Sequence, residues 1–113
     1  MITAKTHEHI GTGVLFARDN GLRLIIRNTG HDFLGRSVGW GSLVINVHKF
    51  REVTFTGKWN GPGDYKGSAV TVGAGVQGRE LLRLAHAQKP PLAVVVGECP
   101  VRPLSLKTQQ RRE

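Results

Sequence analysis

Apolar residues at Ile10, Val14 and Ala17 recur at the spacing of one helix face and predict a helix over residues 7 to 19. Thr6 stands where an N-cap hydroxyl belongs, and Glu8 falls in the first turn, where a carboxylate suits the helix dipole. Gly11 and Gly13 each weaken that helix by about 1 kcal/mol relative to alanine, so packing has to hold it. Asn20-Gly21 is a helix stop. The run Leu22 to Arg27 is nearly continuous in apolar residues and suits a strand covered on both faces. Leu43 to Val47, Val53 to Phe55 and Ala69 to Ala74 read as further strands, the last with Val70 and Val72 on one side.

Between the third and fourth of these runs, Lys58 to Gly67 is rich in glycine with a proline, Asn60 and Asp64, and reads as a loop. Gln77 to His86 predicts a second helix with Leu81, Leu82 and Ala85 inward, stopped by Lys89-Pro90-Pro91. Leu92 to Val96 reads as the last strand. The order helix, four strands, helix, strand implies an α+β or α/β sheet domain, and 113 residues allow one domain or less.

Charge changes this picture little. Sixteen basic residues against eight acidic give +8. Part of the excess sits in a polar C-terminal stretch with Arg102, Lys107, Arg111 and Arg112 against Glu113. The rest is scattered among acidic residues, with no basic run interleaved with aromatics, which argues against a nucleic-acid partner. One cysteine excludes an intrachain disulfide framework. The N-terminus lacks the apolar segment of a signal peptide, and no apolar run approaches the roughly 20 residues that span a bilayer. The expectation is a cytoplasmic chain, as written, with no membrane partner.

The residues with chemical interest cluster after the first strand. Arg27-Asn28-Thr29-Gly30-His31-Asp32, then Gly35-Arg36-Ser37, form a small polar loop. Its glycines let backbone N–H groups turn inward as an anion nest, with Asn28, Thr29 and Ser37 as side-chain donors and Arg27 or Arg36 as charge. An ordinary turn with a surface Asp-His pair would use the same residues, and the loop is neither a Walker loop nor a dinucleotide fingerprint. His31 could cap the turn, ligate a metal or act as a nucleophile. The spacings of His7, His9, His48, His86 and Cys99 match no zinc signature, so no metal is expected. Cys99, just beyond an apolar run, reads as a small buried hydrophobe or as a nucleophile near His31 or His86.

Four segments in order carry a resemblance. They are Arg27 to Asp32, Gly35 to Ser37, Ala69-Val70-Thr71-Val72-Gly73-Ala74-Gly75-Val76-Gln77, and Val96-Gly97-Glu98-Cys99-Pro100. Together they resemble the PCMH-type FAD-binding domain of the vanillyl-alcohol-oxidase and berberine-bridge-enzyme family, especially fungal FAD-linked oxidoreductases of secondary metabolism. The resemblance implies an α+β FAD-binding lobe of small mixed sheets flanked by helices, over residues 1 to 100. It makes Asn28 to His31 a pyrophosphate cradle, and Val72 to Gly75 and Gly97 to Pro100 walls of the cofactor site; Val76 follows directly. It makes His31 the residue bonded to the flavin 8α-methyl carbon and Cys99 a second tether at flavin C6. Such tethers withdraw electrons and hold the ring in place.

The partners implied are FAD and a small-molecule substrate, and no residue here stands as the substrate base. The family continues after Gly-Glu-Cys-Pro with Thr-Val-Gly and a glycine-rich segment, whereas Val101-Arg102-Pro103-Leu104 follow here. A strand before the first helix is short or missing. The expectation is therefore a lobe incomplete at its C-terminus, with residues 101 to 113 as a divergent basic tail. Two other readings are a flavin-binding remnant without catalysis and a basic nucleic-acid-binding domain.

Overall fold

The computed structural model describes residues 1–60 and 64–97. Cys99, Pro100 and the basic stretch 101–113 lie outside the described residues. The elements run β1 (Ile2–Thr3), α1 (His7–Asp19), β2 (Arg23–Arg27), β3 (Ser42–Asn46), β4 (Val53–Thr56), β5 (Ala69–Val72) and α2 (Gly78–His86).

Helix α1 begins and ends where its caps say. Thr6 accepts the N–H of His9 at 3.4 Å, and Gly21 takes φ +60° just past the end. Its packing face is the expected one at Ile10 and Ala17 but takes Gly13 in place of Val14. Gly13 and Ala17 are buried and Ile10 packs against the core, while Val14 is exposed. The cause is the close approach at Gly13. A Cβ there would lie 2.9 Å from Ile45 Cδ1 and 3.2 Å from Ile2 Cδ1.

Strands β1, β3 and β2 form a parallel sheet in that spatial order. The core beneath α1 is Ala4, Ile45 and Val47, ringed by Ile10, Leu24 and Phe50. Burying Ile45 completely contributes about 1.5–3 kcal/mol. Strands β4 and β5 pair antiparallel as a separate ribbon.

Three expectations are corrected. Residues 22 to 26 do not form a strand covered on both faces. Ile25 is buried, but β2 is the sheet's edge strand and Ile26 is 64% exposed. Nor is Ala69 to Ala74 a buried strand; β5 stops at Val72 and is half-buried, with Thr71 exposed, because a two-stranded ribbon cannot cover both its faces. Leu92 to Val96 forms no strand. The Leu92 N–H donates to the Ala85 carbonyl at the end of α2, and Val95 is exposed, so this extended run has no ladder partner among the described residues. In α2, Leu81 and Ala85 are buried as expected, but Leu82 is exposed.

Candidate functional site

The parallel register sets the geometry. Thr3, Asn46 and Arg27 stand level across the sheet, so all three strands end at the same edge. Chain leaving the carboxyl ends of parallel strands is where open α/β sheets hold ligands. Here a cavity of about 400 Å³ opens at that edge, lined by Thr3, Asn28, Thr29, Asn46, His48, Lys49 and Gln77. Asn28 and Thr29 come from the predicted loop; the other five were not expected from the sequence. A larger cavity of about 490 Å³ shares Lys49 and includes Val72 and Gly73 of the expected site residues.

Gly30 adopts φ +91°, a left-handed conformation that favours glycine. The Arg27 guanidinium lies against it, so a Cβ on Gly30 would sit 2.9 Å from Arg27 Nε. Thr29 Oγ1 is buried and has no hydrogen-bond partner among the described residues. A buried hydroxyl without a partner costs about 1–3 kcal/mol, and Thr29 is also one of the residues lining the polar cavity.

The second glycine segment comes to the first through Asn28. Its amide Nδ2 donates to the Ala74 carbonyl at 2.5 Å, and its Oδ1 meets His48 Nδ1 at 2.7 Å. Asn46 Nδ2 donates to the Asn28 carbonyl, and Asn46 Oδ1 accepts the His48 N–H. The side chains of Asn28 and Asn46 thus shape the edge, each with one N–H of its amide given to a backbone carbonyl. Gly73 and Gly75 donate their N–H groups to the carbonyls of Glu52 and Phe50. Both run too close to the 48–51 backbone for a side chain. A Cβ on Gly73 would lie 2.5 Å from the Phe50 oxygen, and one on Gly75 would collide with the carbonyls of His48 and Phe50. Val76 is fully buried behind them, and Gln77 caps the start of α2 at the cavity. The N-terminal end of that helix therefore begins beside the cavity.

The remainder of the predicted loop turns outward. His31 is exposed, and Gly35 takes φ +70° in a turn whose N–H donates to the Asp32 carbonyl. Asp32 accepts the Arg36 backbone N–H at 2.6 Å and pairs with its guanidinium at 2.7 Å. The hydrogen bonds from Arg36 pull the Asp32 carboxyl down to about 2. Arg36 is therefore committed to its own turn. Ser37 is half-buried and, like Gly97, does not line the cavity. Among the described residues no three His, Cys, Asp or Glu side chains come together as metal ligands.

Residues 1–100 match the FAD binding domain family. The chain is 46% identical over 99 residues to the FAD-linked oxidoreductase ZEB1 of Gibberella zeae, covering 88% of this chain and 17% of that protein. It is 48% identical to the flavin-dependent oxygenase ucdF of Aspergillus ustus, covering 87% of this chain and 18% of that protein. Among solved structures, the VAO-type flavoprotein MtVAO615 of Myceliophthora thermophila superimposes with a TM-score of 0.78 at 34% identity, over 86% of this chain and 17% of that one. The chain thus spans under a fifth of the length of these relatives.

Proposed function

Because this chain belongs to the FAD-binding domain family, we infer that its strand-edge cavity grips the diphosphate of FAD within an FAD-linked oxidoreductase. The observation that carries this reading is the unpartnered Thr29 hydroxyl at the carboxyl ends of three parallel strands. A diphosphate needs donors and positive potential. Thr29 Oγ1, the turn around Gly30, Lys49 and the start of α2 would provide both. Asn28 and Asn46 hold the wall in shape, and Gly73 and Gly75 let the second segment close against it.

Bound FAD would supply hydride acceptance at flavin N5 and electron transfer to oxygen. For the whole protein the reading is flavin-dependent oxidation of a small molecule, supported by fungal relatives named FAD-linked oxidoreductase and flavin-dependent oxygenase; a place in fungal secondary metabolism is what the sequence resemblance adds. His31, one residue past the glycine turn, is the proposed covalent anchor at the flavin 8α-methyl carbon, with Cys99 as the second.

The test is the mass of the purified, FAD-treated chain after acid denaturation, for wild type, His31→Ala, Cys99→Ala and the variant carrying both substitutions. An adduct of one FAD that is lost only when both residues are replaced supports two anchors. Flavin that washes away completely on denaturation refutes the covalent links. No uptake of FAD refutes the cavity assignment itself.

A further inference from the structure

The cavity wall contains a histidine with a single job. His48 leaves the end of β3 with its ring between two elements. On one side, Nδ1 lies 2.7 Å from Asn28 Oδ1. That amide is oriented by its other end, where Nδ2 donates to the Ala74 carbonyl. The oxygen therefore faces the ring, and only a protonated Nδ1 can satisfy it. On the other side, Nε2 has Arg51 Nη1 within 3.5 Å. A guanidinium has only protons to offer, so Nε2 must present its lone pair. Arg51 is itself held, by Glu80 in the first turn of α2 and by the Gly75 carbonyl. The two contacts select one neutral tautomer, with the proton on Nδ1.

Resting on the FAD reading above, we propose that His48 is a positioning residue that acts through Asn28, as the Nδ1–H tautomer, to lock the Asn28–Gly30 turn against Ala74. The consequence runs from ring to ligand. Without the bond from Nδ1, the Asn28 amide loses one of the two partners that fix its rotation, and its donation to Ala74 loosens. The turn then no longer holds the Thr29 hydroxyl and Gly30 in a fixed place beside the cavity. His48 touches no ligand in this scheme; it narrows the number of conformations the loop can take before binding, and preorganisation of that kind appears as affinity.

The design of the test follows from ring geometry. Asparagine puts its amide near the position of Nδ1, and glutamine puts it near Nε2. His48→Asn therefore retains the donor to Asn28, whereas His48→Gln loses it, and both keep a polar side chain of similar size. FAD titrations of the full chain, followed by flavin fluorescence, are expected to show wild type and His48→Asn within about threefold of each other. His48→Gln is expected to bind about tenfold more weakly, the worth of roughly one hydrogen bond. Asn28→Ala should be as weak as His48→Gln, and combining the two should weaken binding no further, because one acts through the other. Equal binding by the asparagine and glutamine variants, or additive losses in the double variant, overturns the proposal.

Nitrogen-15 spectra of the ring, recorded on the chain without flavin, give an independent reading. A protonated Nδ1 with a bare Nε2 supports the lock, and the opposite tautomer overturns it. If wild type takes up no FAD, the cofactor assignment falls, while the ring spectrum still decides whether the lock exists.

Discussion

Asp32 ties the outer half of the loop to itself through the Arg36 amide and guanidinium, and its charge carries both contacts. Its folded carboxyl titrates at about 2, below the ordinary 3.8, because the ionised form is the one Arg36 holds. The contribution of a group depressed in this way is complete above the ordinary value and lost as pH falls through the folded one. The Arg36 amide resonance should therefore stay constant from neutrality to about pH 4 and move only near pH 2. A midpoint at the ordinary carboxylate value would show that the turn is open in solution. Sequence made the two glycine segments and their small polar residues legible because they are local. It weighed His48 only as a metal ligand, set it aside and gave it no other role, since Asn28, His48, Arg51 and Glu80 meet across gaps of 20, 3 and 29 positions with no spacing to tie them. Asn28, expected to offer its side chain to a ligand, also serves the fold: one N–H goes to Ala74 and Oδ1 to His48, which leaves the second N–H of Nδ2 as the donor for a ligand.

At the level of the element, the two glycines of α1 have opposite meanings. Nothing lies within 4 Å of a Cβ built on Gly11, whereas one on Gly13 presses on Ile45 in the fully buried core. Gly11→Ala should raise stability by about 1 kcal/mol through helix propensity alone. Gly13→Val should lower it by about 1–3 kcal/mol through overpacking, with some further loss from a β-branched residue in a helix. Urea unfolding of the two variants measures both, and a stabilised Gly13→Val would mean that α1 does not rest on β3. The helix itself was legible from Thr6, Glu8 and Asn20-Gly21, since caps are local chemistry. Its buried face was not, because the apolar pattern marks Val14, while contact distance selects Gly13. Leu92 to Val96 shows the same limit from the other side. Apolar composition suits a strand, but a strand exists only where another chain segment accepts its hydrogen bonds.

For the molecule as a whole, the carboxyl-end cavity follows from the parallel order β1, β3, β2, and no local pattern in the sequence reveals that order. The same order leaves β2 at the rim of the sheet, with Ile26 exposed and Phe33, Leu34, Val38 and Trp40 uncovered in the loop that follows. A rim of this kind is a template on which a second copy can add a strand. Arg23 and Arg27 close β2 at its two ends, and in any pairing of one β2 with another they would bring like charges together. That repulsion would act as a gatekeeper against self-pairing, and only while the charges can sense each other. At about 0.1 M salt the screening length is about 10 Å, and it contracts to about 3 Å near 1 M. Light scattering from the isolated chain should therefore grow as salt is added, and Ile26→Lys should suppress the growth. Scattering that falls with salt would rule out charge as the brake. On this prediction, two arginines at the ends of one strand set the colloidal behaviour of the lobe, and low ionic strength would be the condition that keeps it dispersed.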